Sequence, residues 1–286
     1  MSPQPPPDTT VGFVVSEDGT RIGYRTMGRG PGLVLLHGGL QSGWSLLELG
    51  CALSDAFTVY IPDRRGRGLS ASDAALGMAG EVADLSALLD ATGATGVFGL
   101  SAGGLVALAT ARVRPGLGRI AIYEPPLEVA GLRSAQWWTP AYARAMAKGD
   151  LAGALTAIIK GTGDRALMTD LPAFLLRTLF SVGLRFEVER GPDEEPSLRA
   201  LIPTMRRDIA LIAEMAGRLE GFRDLPTETL LMAGTISADY LIGATDALAD
   251  VVPNASRATL PGLGHIAAAN GEQPGQVATT LKAWFS

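Results

Sequence analysis

The most informative stretch of this sequence for its fold is Val97-Phe98-Gly99-Leu100-Ser101-Ala102-Gly103-Gly104. It reads as the end of a buried strand, a sharp turn and the start of a helix, with Ser101 at the centre of a Gly-x-Ser-x-Gly pentapeptide. Such a turn strains the serine backbone and brings strand and helix so close that a Cβ at 99 or 103 would clash. The alternative, a glycine-rich turn with an incidental serine, stays open until partners for Ser101 are found.

The composition indicates a single large α/β domain with a sizeable core, because 47% of the 286 residues are apolar and 19% are charged. The net charge of −5 without a basic block argues against a nucleic-acid partner. The Pro-rich start lacks the features of a signal peptide, and no apolar run reaches membrane-spanning length. We therefore expect a cytoplasmic protein with no membrane partner.

Metal ligands and cofactor motifs are scarce. The chain has one cysteine, Cys51, and two histidines, His37 and His265. They build no metal-ligand motif, and the chain contains no phosphate-binding loop of the Gly-x-x-x-x-Gly-Lys type. The sequence therefore predicts neither a metal nor a cofactor.

Strand and helix patterns alternate along most of the chain. Two short runs around Asp18-Gly19 predict a hairpin at 11–15 and 21–25, and apolar runs predict strands at 33–36, 58–61, 95–100, 119–123, 229–233 and 257–260. Helical spacing appears at 81–89, 105–111, 241–248 and 276–284. Between 127 and 222 the strand signals cease, and helical patterns cover 142–146, 151–159, 172–180 and 198–215.

This order predicts an α/β fold with a mostly parallel, doubly wound sheet and an inserted helical cap. The expected divisions are a disordered Pro-rich tail at 1–10, a core formed by 11–126 and 223–286, and a cap at 127–222. Ligands in such sheets bind outside the carboxyl ends of the strands. Four chemically capable residues follow predicted strands: His37, Ser101, Glu124 and His265.

These residue types suit nucleophilic catalysis. A serine hydroxyl attacks only when a base, usually histidine, takes its proton, and that histidine needs a carboxylate to set its tautomer. Paired backbone donors must also stabilise the developing oxyanion. Serine, a candidate acid and histidine occur here in that order along the chain.

Over nearly its whole length the chain resembles the α/β-hydrolase superfamily of serine hydrolases. The matching motifs are His37-Gly38-Gly39-Leu40, Asp63-Arg64-Arg65-Gly66-Arg67-Gly68-Leu69-Ser70, Gly99-Leu100-Ser101-Ala102-Gly103 and Gly262-Leu263-Gly264-His265. The resemblance implies that Ser101 is the nucleophile and His265 the general base. It also implies an oxyanion hole formed by the amides of Gly39 and Ala102, and a structural role for His37 in preference to a catalytic one.

Two residues compete for the role of the acid. Glu124 follows the strand after the nucleophile, and Ile122-Tyr123-Glu124-Pro125-Pro126 resembles members that carry the acid there, such as lactone hydrolases of the zearalenone-degrading type and some dehalogenases. Dehalogenases are disfavoured because they use Asp as the nucleophile. Many other members place an Asp after the glycine that ends the penultimate strand, where this chain has Ser237 and, two residues later, Asp239. We favour Glu124 and keep Asp239 as the alternative.

The resemblance implies hydrolysis of a carboxylic ester or lactone through an acyl-enzyme on Ser101. The predicted cap is rich in large apolar side chains, which favours a hydrophobic small-molecule substrate. Candidate substrate-binding residues are Leu40, Trp138, Phe174 and Ile266. The same triad also serves C–C bond and thioester hydrolysis, and a non-catalytic small-ligand-binding protein on this fold is a further alternative.

Overall fold

One eight-stranded sheet organises the computed structural model of the chain, which describes residues 9–72, 77–163, 170–188, 191 and 194–286. The strand order is β1-β2-β4-β3-β5-β6-β7-β8. The strands are β1 (Thr10–Val15), β2 (Arg21–Met27), β3 (Gly32–Leu36), β4 (Thr58–Pro62), β5 (Gly96–Leu100), β6 (Arg119–Tyr123), β7 (Glu228–Gly234) and β8 (Ala255–Leu260). Of the predicted tail at 1–10, residues 1–8 lie outside the described residues, and Thr10 begins β1.

The pairing of the strands places the residues that follow them at one edge of the sheet. β1 and β2 form an antiparallel hairpin, and β2 is antiparallel to β4. The other strand pairs, from β4 to β8, are parallel. The mostly parallel sheet predicted from the sequence is therefore confirmed, and the carboxyl ends of β3, β5, β6, β7 and β8 lie side by side.

Both faces of the sheet are covered by helices. Side chains of β5 alternate, since Val97 packs in one apolar cluster and Phe98 in the other. The first cluster includes side chains of the helices Met78–Thr92, Ala102–Val113 and Asp239–Val251. The second includes side chains of the helices Leu47–Leu53 and Pro274–Phe285. Alternating burial on both faces is what a doubly wound sheet requires.

Residues 127–222, which lie between β6 and β7, are called the helical insertion below. Its described helices are Thr139–Ala147, Leu151–Thr162, Ala173–Arg185, Leu198–Leu201 and Met205–Met215. Several of these helices share a small apolar core, which includes Trp138, Tyr142 and Leu155. Leu211 and Met215, by contrast, pack into the main core against the sheet. The insertion thus packs partly on itself and partly on the sheet.

Buried ion pairs hold the last long helix of the insertion on the sheet. Asp208 of Met205–Met215 pairs with Arg64 at 2.9 Å and with Arg67 at 2.5 Å, and all three side chains are almost completely buried. Removing one partner from such a group leaves a buried charge uncompensated, which costs several kcal/mol, on the order of 3 to 5. None of the helices in the described ranges is long and apolar enough to cross a membrane.

Candidate active site

Ser101 lies at the turn between β5 and the helix Ala102–Val113, as the sequence predicts. Its backbone has φ 53° and ψ −121°, a strained combination for a residue with a side chain. A Cβ on Gly99 would lie 2.6 Å from the Gly103 carbonyl oxygen, and one on Gly103 would lie 2.6 Å from the Leu36 carbonyl oxygen. Both distances are impossible for real atoms, so the turn requires glycine at 99 and 103.

Backbone strain marks this edge of the sheet more widely. Among the described residues, three that are not glycine have a positive φ: Leu40 (54°), Ser101 (53°) and Glu124 (47°). They follow β3, β5 and β6, which are neighbouring strands. Such strain costs of order 1 to 3 kcal/mol per residue and persists where the surrounding structure enforces it, often at active sites. The cluster of three strained residues therefore indicates a functional site at this edge of the sheet.

Glu124 and His265 form a buried hydrogen-bonded pair. The Glu124 side chain is fully buried, and its Oε2 lies 2.8 Å from Nδ1 of His265, which is 7% exposed. The second oxygen, Oε1, accepts a hydrogen bond of 2.7 Å from the Gly234 amide. A carboxylate can only accept, so Nδ1 carries the proton and Nε2 is the basic nitrogen of the ring.

The loop that carries His265 is positioned by two further residues. The Tyr123 hydroxyl donates a 2.9 Å hydrogen bond to the Gly264 carbonyl. Burial, and secondarily the charge of Glu124, raises the pKa of Tyr123, so this hydroxyl keeps its proton. A Cβ on Gly234 would lie only 2.0 Å from the Leu263 carbonyl oxygen. Gly234 therefore both donates to Glu124 and leaves space for the histidine loop.

Two backbone amides are available for an oxyanion. Ala102 is the first residue of its helix, where amide groups have no acceptor within the helix. Within the described part of the chain, no oxygen accepts a hydrogen bond from the amide of Ala102 or of Gly39. Both residues line the same cavity as Ser101. The arrangement meets the basic requirement of an oxyanion hole, which is a pair of free donors beside the serine.

His37 and Gln41 hold the loop that carries Gly39. His37 is completely buried, and its Nε2 accepts a 3.1 Å hydrogen bond from the Arg64 amide. Its Nδ1 lies 2.8 Å from the Gly38 carbonyl oxygen, to which it donates. The Gln41 side chain accepts from the Gly38 amide at 2.8 Å. Burial, followed by the nearby charges of the arginines at 67 and 64, holds the pKa of His37 well below its usual range. A neutral, fully bonded ring fits the structural role expected for His37.

Ser101 and His265 line one narrow cavity of about 50 Å³, called the inner cavity below. The sheet domain contributes loop residues, and the helical insertion contributes residues from several helices. Most of the lining is apolar: Leu40, Leu100, Pro126, Ala135, Trp138, Ile158, Met205, Ile212 and Ile266. Polar side chains also reach it, from Gln41, Thr162, Asp208 and Tyr240. A largely apolar wall with a few polar groups is typical of a site for a small organic molecule.

The structure brings three of the four predicted substrate-binding residues, Leu40, Trp138 and Ile266, to the inner cavity. Phe174 is not among them, because it is 68% exposed on the outer surface of the insertion. The helix Ala173–Arg185 buries Leu176 and Leu184 instead, which turns position 174 away. A Cβ on Gly161 would touch the ring of Trp138, so this glycine makes room for the indole at the cavity wall.

Asp239, the alternative acid, lies elsewhere. It is exposed in the first turn of the helix Asp239–Val251. The ring nitrogen that the acid of a triad would hold is bonded to Glu124 instead. Of the two candidates, Glu124 is the one that the structure brings together with His265.

Several lining residues were not predicted from the sequence. Asp208 and Met205 come from the helix Met205–Met215, and a Cβ on Gly39 would lie 3.2 Å from the Asp208 carboxylate and 3.0 Å from the Met205 sulfur. A local pattern carries no signal for such contacts, because the partners are far apart in the chain. In the described part of the chain, no three His, Cys, Asp or Glu side chains are grouped so that they could hold a metal ion.

Several solved structures are similar to this chain. An alpha/beta hydrolase from Sphaerobacter thermophilus is 27% identical, with a TM-score of 0.77 over 96% of this chain and 100% of that one. An esterase from Rhodococcus sp. is 21% identical, with a TM-score of 0.68 over 96% and 98%. A meta-cleavage product hydrolase from Pseudomonas fluorescens is 19% identical, with a TM-score of 0.65 over 96% and 97%. The last two, at that identity, show the shared fold alone.

A comparison of the sequence with curated proteins found no match. The sequence does match the Alpha/beta hydrolase family over residues 33–280, which include most of β3, the turn that carries Ser101, the helical insertion and the loop of His265. This match covers most of the chain and agrees with the sheet order and with the strained serine turn. The chain belongs to the alpha/beta hydrolase family.

Proposed function

We propose that this protein is a serine hydrolase that cleaves a hydrophobic carboxylic ester or lactone through an acyl-enzyme on Ser101. The observation that carries the proposal is the buried Glu124–His265 pair, which opens onto the same cavity as the strained Ser101. Glu124 sets the tautomer of His265, and Nε2 is thereby left as a base. Fold alone does not support this conclusion, since many functions share this fold.

The reaction would proceed in two halves. In the first, Ser101 Oγ attacks the carbonyl carbon while His265 Nε2 takes the hydroxyl proton, and the tetrahedral intermediate collapses when His265 returns that proton to the leaving alkoxide. In the second, His265 activates a water that attacks the acyl-enzyme, and Ser101 leaves with the proton. Protons balance in each half, and the free acid and the alcohol are the products.

The amides of Gly39 and Ala102 would stabilise the oxyanion in both halves. One preorganised donor of this kind is worth on the order of 3 kcal/mol in the transition state. Gln41 and His37 support this role, because their hydrogen bonds fix the loop on which Gly39 lies. The positive φ of Leu40 belongs to the same loop.

The helical insertion would act as a cap that selects the substrate. Its residues Trp138, Ile158 and Met205 line the inner cavity together with the proposed catalytic residues. An apolar wall excludes water from the charged intermediate, which strengthens the hydrogen bonds to the oxyanion. The same apolar wall would favour binding of a hydrophobic substrate.

The experiment is a panel of reactions with the purified protein and its Ser101→Ala variant. The panel contains alkyl esters, a lactone, a thioester and a 1,3-diketone, with products identified by mass. We expect hydrolysis of an ester or lactone, lost by more than about 10⁴-fold in Ser101→Ala. Cleavage of the diketone alone would replace the proposal with C–C bond hydrolysis. Turnover that persists in Ser101→Ala would contradict it, and a bound but unchanged ligand would favour a binding protein.

A further inference from the structure

A second cavity adjoins the inner one. This outer cavity has a volume of about 330 Å³, against about 50 Å³ for the inner cavity. The two share four lining residues, which form the boundary between them: Gly39, Leu40, Gln41 and Ile266. Ser101 lines the inner cavity, and a ligand held there can extend past these four residues into the larger outer space.

The outer cavity is lined in part by residues that come directly after His265 in the sequence. Its sheet-domain wall includes Ile266, Ala269 and Asn270, and its other wall is made by side chains of the helical insertion such as Leu155 and Ile159. In the proposed mechanism the base must deliver its proton to the oxygen of the leaving alcohol. His265 itself lines the inner cavity, and Ile266, the next residue in the chain, lines both cavities. We therefore expect the alcohol part of an ester to pass His265 and to extend beyond Ile266 into the outer space, with the acyl part in the inner cavity.

The size of the inner cavity limits the acyl part. One water-sized group needs about 10 to 15 Å³ on this scale, so the inner cavity has room for about three to five such groups. Its wall includes three large side chains, Trp138, Ile158 and Met205, each less than a tenth exposed. Close-packed interiors resist expansion, so a longer acyl chain would require these side chains to move.

We propose that the enzyme selects esters that combine a short acid, of up to about four carbons, with a long or bulky apolar alcohol. This inference rests on the proposed function. The outer cavity suits such an alcohol because four large side chains of the insertion give it apolar surface: Leu155, Ile159, Phe180 and Leu198. Its lining also includes the carboxylates of Glu195 and Glu272, so an apolar alcohol is expected to lie along the first four side chains. Room for each methylene changes kcat/KM by roughly 10-fold or more in an apolar pocket. The preference should therefore be large enough to measure with simple esters.

Octyl acetate and ethyl octanoate test this directly, because they are isomers with the same atoms and differ in which side carries the long chain. We expect kcat/KM for octyl acetate to exceed that for ethyl octanoate by at least about 10-fold. Equal rates, or a preference for ethyl octanoate, would overturn the inference while leaving the proposed function intact. Hydrolysis of neither isomer, nor of ethyl acetate, would remove this inference, and failure on the lactone of the panel as well would remove the proposed function.

Neighbouring residues of one helix provide matched variants, since Ile158 lines the inner cavity and Ile159 lines the outer one. Ile159→Trp should lower the ratio of octyl acetate to ethyl acetate kcat/KM by about 10-fold or more. Ile158→Ala should instead lower the ratio of octyl acetate to ethyl octanoate, because it enlarges the acyl side. Leu179→Trp, at an exposed position of the insertion, is the control and should change neither ratio. A rise in either ratio, in the variant that is expected to lower it, would contradict the assignment of the cavities.

Discussion

Replacement of Glu124 by glutamine exchanges one carboxylate oxygen of the proposed triad for an NH2 group. The carboxylate accepts two hydrogen bonds, from the Gly234 amide and from His265 Nδ1. An amide has one accepting oxygen and one donating NH2 group, so Glu124→Gln cannot satisfy both partners. If its oxygen faces Gly234, its NH2 group faces Nδ1 and drives the ring proton to Nε2. The histidine then has no lone pair to take the proton of Ser101.

The opposite orientation is also costly. It places two donors, the new NH2 group and the Gly234 amide, against each other in a fully buried position, which costs about 1 to 3 kcal/mol. In either orientation the charge that stabilises the imidazolium is gone. The corresponding amide in a serine–histidine–aspartate triad lowers kcat by about 10⁴-fold. That factor equals about 5.4 kcal/mol of transition-state stabilisation, at 1.36 kcal/mol for each factor of ten.

The assay is steady-state hydrolysis of a short-chain ester, with thermal unfolding measured on the same preparations. We expect Glu124→Gln to lower kcat by 10³- to 10⁴-fold with KM little changed, because the variant loses an interaction made in the transition state. Asp239→Asn is the matched control, since Asp239 is exposed, and should stay within about twofold of the wild type. Near-normal turnover in a folded Glu124→Gln protein, with collapse in Asp239→Asn, would refute the reasoning.

Three further outcomes follow from the same structure. Gly234→Ala should displace the Leu263 carbonyl and lower kcat by at least about 10-fold, as a 1 Å misplacement of catalytic groups can cost 10². Tyr123→Phe should lower the free energy of unfolding by about 1 to 3 kcal/mol, because the Gly264 carbonyl loses its donor. Below pH about 6.5 the wild type should lose stability as pH falls, since His37 then binds a proton in the unfolded chain but not in the folded one. His37→Gln should remove one proton from this dependence, about 1.4 kcal/mol per pH unit.

Each of these outcomes has its own check. Gly275→Ala is the control for Gly234→Ala, because a Cβ there meets nothing within 4 Å, and kcat should be unaffected. Denaturant unfolding measures the effect of Tyr123→Phe, and an unchanged midpoint would mean that the hydrogen bond contributes no stability. Unfolding series between pH 7 and pH 5 test His37, and parallel curves for wild type and His37→Gln would contradict the assigned neutral ring.

The turn that carries Ser101 and the strands of the sheet could be predicted because their causes are local. Gly99 and Gly103 are required by contacts between a strand and the helix that follows it directly, so the pentapeptide itself carries the signal. Each predicted strand is present, since apolar runs bounded by turns encode buried strands. The helix Leu47–Leu53 was not predicted. It has only seven residues and includes Gly50, whose missing Cβ would lie 2.7 Å from the Ile61 side chain.

The parts of the site that depend on distant contacts could not be read from local patterns. Asp208 resembles an ordinary solvent-facing charge of an amphipathic helix, yet its partners Arg64 and Arg67 lie more than 140 residues away in the chain. The helical period at Phe174 predicts the helix but not which face turns to the cavity. Trp137 and Trp138 are neighbours in the chain and point in different directions, so at most one of them is expected at the cavity. Trp138 lines it, and Trp137 is 40% exposed.

The central claim is that Ser101 is an activated nucleophile. Intact-mass measurement after reaction with a small fluorophosphonate tests it most directly, because the reagent bonds to a serine whose proton a neighbouring base removes. We predict one stoichiometric adduct that maps to Ser101, is absent from Ser101→Ala and forms more slowly in Glu124→Gln. A folded protein that gains no adduct, or one whose adduct lies on another residue, would contradict the account.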